Sequence, residues 1–222
     1  MPRWEHGSED RLKTAALDLF AEQGFENTSV IEIARRARVA TRTFFRYFSD
    51  KREVLFSEAE AMSAALTERI LQAPDVGEPL ALVVGVLAEF DWESLGSRDS
   101  QRQRHAVIRA NPELLERDLI KHHSSAEKFA EALRRRGVDA DLAGLAARVG
   151  IDVFFTAYEQ WLEAGETADL PTISARMMSR LATIAPSGAG RSAKAPGAWA
   201  PWGRLRRDGD DGAKAVSRGS RR

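Results

Sequence analysis

Apolar residues recur along most of this chain at intervals of three and four, and nowhere do they alternate. That period belongs to amphipathic helices and not to strands. The first stripe is Leu12, Ala15, Ala16, Leu19 and Phe20. Ser8, Glu9 and Asp10 stand where a cap and first-turn acids favour a helix start, and Gly24 stands where a helix ends. A second short helix, capped by Asn27 or Thr28, turns Val30, Ile33 and Ala34 inward and leaves Arg35, Arg36 and Arg38 in solvent. Val39 anchors the turn that follows. A third helix covers Thr41–Phe48 and sets Thr41, Arg42, Thr43 and Arg46 among Phe44, Phe45 and Phe48. Ala40 fills its cap position, a poor choice that leaves backbone amides without a side-chain acceptor. Ser49 or Asp50 then begins a longer helix that runs to about Leu71.

The pattern continues to Ile184. Residues 74–79 break it with two prolines, and Leu80, Val83, Val84, Leu87 and Phe90 restart it. A turn at Gly96–Asp99 leads to a short polar helix, Gln101–Ala110. Asn111-Pro112 combines a cap with a first-turn proline and opens a long helix through Leu115, Leu119, His122, Ala126, Phe129 and Leu133. Asp139 or Asp141 caps the next helix, which carries Phe154, Tyr158 and Trp161 and stops at Gly165. Pro171–Ile184 forms the last. The expectation is an all-α protein in three parts. Residues 8–52 form an N-terminal three-helix bundle, and residues 53–186 form a larger helical domain. Residues 187–222, rich in Gly, Ala, Pro, Ser and Arg, form a disordered basic tail. Met1–Gly7 reads as a loose arm.

Composition changes this picture in two respects. The 222 residues carry no net formal charge, yet the charges are unevenly placed. Met1–Arg52 has ten Lys/Arg against eight Asp/Glu, Glu53–Pro186 has fourteen against twenty-two, and Ser187–Arg222 has nine against three. Neutrality therefore does not exclude nucleic acid, because phosphate contacts depend on local basic clusters. The chain also has no cysteine, which excludes disulfides, thiolate metal sites and a thiol nucleophile. No apolar run reaches signal-peptide or membrane-span length, so the cytoplasm is the expected location. His122 and His123 are adjacent and cannot form an i,i+4 metal pair. No triad, phosphate loop or carboxylate pair emerges, so no enzyme, cofactor or metal is expected.

A short helix with threonines and arginines on one face suits the major groove of DNA, and residues 28–51 read as a helix-turn-helix. From Arg11 to Phe56 the sequence resembles the N-terminal module of the TetR family of bacterial transcriptional regulators. The resemblance lies in AALDLFAEQGFENTSVIEIARRARVATRTFFRYFSDKREVLF, with its AA-x-x-LF helix, G-F-x-x-T-S-V segment, I-A-x-x-A-x-V turn and T-F-F-x-Y-F-x-x-K-x-x-L run. It implies a support helix at Ser29–Arg36 and a recognition helix at Thr41–Tyr47. It also implies a homodimer on palindromic double-stranded DNA, acting as a repressor that a small molecule releases. Arg38 and Ala40 depart from the family pattern, where Gly and Ser or Thr are common. The segment RANPELLERD (Arg109–Asp118) resembles the branch around the mycofactocin-system and acyl-CoA-responsive regulators.

The DNA-contacting residues expected on this basis are Thr28, Thr41, Arg42, Thr43, Phe45, Arg46, Tyr47 and Lys51. Arg42 suits a guanine edge, Arg46 and Lys51 suit phosphates, and Thr28 joins a cap to a phosphate contact. The larger domain holds aromatics beside polar groups, a combination found in apolar ligand cavities and also in plain cores. Phe90, Trp92, Arg109, His122, Phe129, Phe154, Tyr158 and Trp161 are the expected effector-binding set. Asp141–Glu163 and Pro171–Ile184 are expected to pair between subunits, with Asp50–Leu71 as the lever to the DNA-binding end. The alternative is a helical architectural or interaction module that binds DNA with no effector.

Overall fold

A computed structural model describes residues 6–165 and 167–184. The expected tail and most of the N-terminal arm lie outside the described residues. Those described form nine α-helices: α1 (His6–Gln23), α2 (Val30–Arg36), α3 (Thr41–Tyr47), α4 (Ala59–Gln72), α5 (Pro79–Ala88), α6 (Arg98–Ala110), α7 (Pro112–Arg135), α8 (Ala140–Glu163) and α9 (Leu170–Ile184). Short 3₁₀ turns at Glu53–Leu55 and Trp92–Leu95 join α3 to α4 and α5 to α6. No described helix is long and apolar enough to cross a membrane.

Several boundaries differ from the sequence reading, each for a local reason. Ser29, not Asn27 or Thr28, caps α2. Its hydroxyl accepts from the Glu32 amide at 3.2 Å, and Glu32 returns a bond to the Ser29 amide at 2.9 Å. Thr28 is buried instead and donates its hydroxyl to the Gly24 carbonyl at 2.8 Å. The helix expected from Asp50 begins only at Ala59. Asp50 does act as a cap, but for the 3₁₀ turn, accepting from the amides of Arg52 and Glu53 at 2.8 and 3.0 Å. Asn111 precedes α7 without capping it, because its amide group turns back to donate to the Val107 carbonyl at 2.6 Å. Asp139 caps α8 as expected, accepting from Asp141 and Leu142.

Two hydrophobic cores result. The larger packs α8 against α5, α7 and α9 around Leu66, Ile70, Phe129, Leu133, Ile151, Phe154 and Trp161. Gly150 lets α5 approach α8: a Cβ there would stand 2.6 Å from Val83 Cγ1 and 3.0 Å from Val83 Cβ. The smaller core lies under α1–α3 and holds Leu12, Ala16, Phe20, Ile33, Phe44, Phe48 and Phe56. It is completed from a distance, since Val107, Ile108 and Leu114 at the α6–α7 corner belong to it. Polar bonds follow the same route, with Gln103 donating to the Leu17 carbonyl at 3.0 Å and Lys13 pairing with Glu58 at 2.6 Å.

The α2–α3 turn contains the one non-glycine residue with positive φ among those described, Arg38 at 56°. The Arg38 amide bonds to the Arg35 carbonyl and the Val39 amide to the Ala34 carbonyl, at 3.1 and 2.9 Å. This closure of a helix end places its left-handed residue where glycine is the usual occupant. An arginine in that conformation carries about 1–2 kcal/mol of steric strain.

Two outcomes follow for stability. Arg38→Gly should raise the free energy of unfolding by about 1 kcal/mol, measured by denaturant titration, because relief of strain outweighs the added backbone freedom. Gly150→Ala should lower it by about 1–3 kcal/mol, since Val83 is branched at the contact and cannot yield without moving α5. An unchanged midpoint for Gly150→Ala would show that α5 and α8 are not tightly registered.

Candidate nucleic-acid interface and cavity

The α3 helix has an inner and an outer face. Phe44 is fully buried and packs on Phe48 with ring centroids 5.3 Å apart. Arg42 and Arg46 are exposed, and Phe45 is 57% exposed although it is a large apolar side chain. Thr41, Thr43 and Tyr47 are half-buried along the sides of the helix. Arg46 lies over Tyr47, 4.8 Å from its ring centroid, and donates to the phenol oxygen at 2.9 Å. The Ala40 position has no side-chain cap bond, as its sequence implied. Six of the eight expected DNA-contacting residues thus lie on this one short helix.

The other two are placed differently. The Thr28 hydroxyl is enclosed beneath the α1–α2 loop. Lys51 directs its ammonium group into the same loop, donating to the carbonyls of Phe25, Glu26 and Thr28 at 2.7, 3.2 and 3.1 Å. It also stands 4.3 Å from the Phe25 ring centroid. A lysine ammonium has three donors, and all three are used here. The positive charge at this point of the sequence therefore serves the backbone carbonyls of a loop, a use that spacing alone does not reveal.

A cavity of about 410 Å³ opens between α4, α6, α7 and α8. Of the expected effector-binding set, Trp92, Arg109, His122, Phe129 and Tyr158 line it. Phe90, Phe154 and Trp161 do not. Phe154 is fully buried and stacks on Trp92 at 5.1 Å, while Trp161 lies under Arg98, whose guanidinium is 4.3 Å from its ring. Phe90 packs on Trp92 at 5.3 Å outside the lining. Phe155, the neighbour of Phe154, faces the cavity instead, and His122 stacks on it at 3.8 Å. Phe154 belongs instead to the core around Trp92 and Trp161, turned about 100° along α8 from the cavity-lining Phe155.

The polar lining is chemically distinct from the core. Tyr158 donates to the Gln101 side-chain carbonyl at 2.6 Å, and burial pushes its pKa up to about 12, so the phenol remains protonated. Burial lowers the pKa of both His105 and His122, which favours neutral imidazoles despite the nearby carboxylates of Glu159 and Asp118 at 3.5 and 3.6 Å. Ser125 donates to Ser63 at 3.0 Å. Arg104, which composition alone does not mark, also lines the cavity and donates its Nε to the Leu55 carbonyl at 2.6 Å. Among the described residues no three His, Asp or Glu side chains are arranged to hold a metal ion.

Comparison with known proteins gives this geometry a context. Residues 12–57 match the family described as bacterial regulatory proteins, tetR family. A Mycobacterium tuberculosis protein named as a mycofactocin biosynthesis transcriptional regulator, MftR, is 32% identical over 157 residues, which are 68% of this chain and 78% of that protein. The transcriptional regulator TcmR of Streptomyces glaucescens is 31% identical over 140 residues, covering 60% of this chain and 62% of its own length. Among solved structures, the NalD repressor of Pseudomonas aeruginosa shares the fold with a TM-score of 0.57 at 18% identity, covering 81% of this chain and 96% of NalD. FadR of Bacillus subtilis, solved with stearoyl-CoA, does so with a TM-score of 0.52 at 20% identity, covering 78% and 96%. With a helix-turn-helix in the matched segment and 32% identity across 78% of a regulator, the chain belongs to the TetR family of bacterial regulatory proteins and is a DNA-binding transcriptional regulator.

Proposed function

We propose that the chain binds a palindromic operator as a homodimer, through Thr41, Arg42, Thr43, Phe45, Arg46 and Tyr47, and is released by a ligand in the α4–α6–α7–α8 cavity. The observation that carries this reading is the double position of Ile108, which lines the cavity and is also buried in the core under α1–α3. A ligand that shifts α6 against that side chain acts on the seat of the recognition helix. It weakens DNA binding only by its differential affinity for the two arrangements. The size and aromatic lining of the cavity favour a small hydrophobic or acyl-CoA-like effector over a module with no effector.

The outer face of α8 supports the dimer. Leu142 and Leu145 are 49% and 56% exposed near the start of α8, and Val149 and Val153 continue the same ridge half-buried. Exposed leucines one turn apart on a helix suit a partner of the same kind. Two copies joined there would hold their recognition helices about one DNA turn apart, roughly 34–36 Å.

Footprinting of the purified protein should reveal a short palindrome, and an absence of sequence-specific protection at low salt would sink the repressor reading. Arg42→Ala should relax preference at one base pair per half-site, at a cost of about 1–3 kcal/mol. Lys51→Ala should lower the melting temperature while leaving the salt dependence of operator affinity unchanged, because its ammonium group is committed to loop carbonyls. A salt slope reduced by about one would show instead that Lys51 contacts phosphate.

A further inference from the structure

One end of the cavity gathers cations around a single aromatic ring. Phe56, 2% exposed and part of the core under α1–α3, is ringed by three cations. Arg117, Arg104 and Lys121 stand 5.4, 5.6 and 5.8 Å from its ring centroid. Arg117 is paired with Glu53. Among the described residues, no carboxylate oxygen lies within the 4.0 Å ion-pair distance of Arg104 or Lys121. Both side chains are half-buried and both line the cavity. Aromatic faces attract cations but do not neutralise them, and partly buried charges are ordinarily paired.

The carboxylates of the cavity lie nearest to other groups. Asp118 faces His122 at 3.6 Å, and Glu159 faces His105 and Arg109 at 3.5 and 3.9 Å. Asp152 is exposed at the rim. Arg104 acts on the same interior, since its charge lowers the proton affinity of His122, His105 and Tyr158. Glu60 feels the charge of Lys121, though beyond ion-pair distance. The lining is therefore divided, with cations that have no ion-pair partner among the described residues gathered at Phe56 and carboxylates set against the imidazoles.

Resting on the reading of this cavity as the effector site, we infer that the Phe56 end is an anion subsite, in which Arg104 and Lys121 take a carboxylate or phosphate group of a ligand whose apolar body lies against Phe129, Phe155 and Tyr158. Arginine presents paired donors that match both anions, and lysine adds a movable point charge. The subsite also bears on DNA binding. Arg104 holds the Leu55 carbonyl, and Leu55 and Phe56 are buried in the core beneath the helix-turn-helix. An anion that draws the guanidinium toward itself competes with that carbonyl and loosens the joint between cavity and DNA-binding bundle.

Three probes with one apolar body test the subsite: octanoate, octyl phosphate and uncharged octanol, titrated into the full chain by calorimetry. At least one of the two anions should bind about tenfold or more tightly than octanol, as expected for a charge-assisted hydrogen bond. Whichever anion binds more tightly identifies the headgroup. Lys121→Gln and Arg104→Gln should each reduce that preference while leaving octanol affinity within about twofold. Among the described residues the Lys121 side chain donates to no backbone carbonyl, so its variant remains informative if Arg104→Gln destabilises the joint. Equal binding of all three probes, or a preference that survives in both variants, would overturn the anion subsite and leave the cavity reading intact. No binding of any probe would overturn both.

Discussion

Burial of the α6–α7 corner beneath the helix-turn-helix is the contact on which the rest of this structure depends. α1, α2 and α3 amount to little more than forty residues with their loops, a size at which one apolar core is rarely sufficient. Val107, Ile108 and Leu114 supply what the bundle lacks, and each large buried side chain contributes about 1.5–3 kcal/mol. The DNA-reading element is thus not an independent unit attached to a sensor. Its floor is made by the same helices that wall the cavity, so the cavity wall and the seat of α3 share side chains such as Ile108.

A second constraint is the treatment of helix C-termini. The last carbonyls of a helix have no partners within it, and here basic side chains from distant segments supply them. Arg136 donates to the carbonyls of Ile70 and Leu71 at the end of α4, each at 3.0 Å. Arg102 reaches the Leu162 carbonyl at 2.6 Å, and Arg98 reaches Gly165 and Ala168 just beyond α8 at 2.8 and 3.0 Å. Lys51 does the same for the α1–α2 loop, and Arg104 for the 3₁₀ turn. These bonds tie elements together across the fold while neutralising the negative ends of helices. They also explain why so many arginines in this chain are committed and why those left unpaired carry information.

The helices were largely legible in the sequence because amphipathic stripes, glycine stops and Asp139 are local signals. Arg38 and Ala40 were legible for the same reason, as departures from local turn and cap chemistry that the structure displays as a positive φ and a missing cap bond. What escaped depends on distance. Lys51 reads as a free cation until the carbonyls of residues 25–28 are seen folded over it. Thr28 and Ser29 are both plausible caps, and only the Glu32 bond selects Ser29. In the cavity, the sequence marked the aromatic stripe but could not separate Phe154 from Phe155, since both stand within one helical turn of Tyr158. Arg104 escaped because its significance lies in what surrounds it.

The claim that the DNA-binding bundle is completed by the α6–α7 corner is tested most directly by hydrogen exchange on Leu114→Ala. Leu114 is fully buried in that core and does not line the cavity. Truncation should cost about 2–5 kcal/mol, and the amides of α1, α2 and α3 should lose protection while those of central α8 keep theirs. Unchanged protection in α1–α3, with losses confined to α7, would contradict the account.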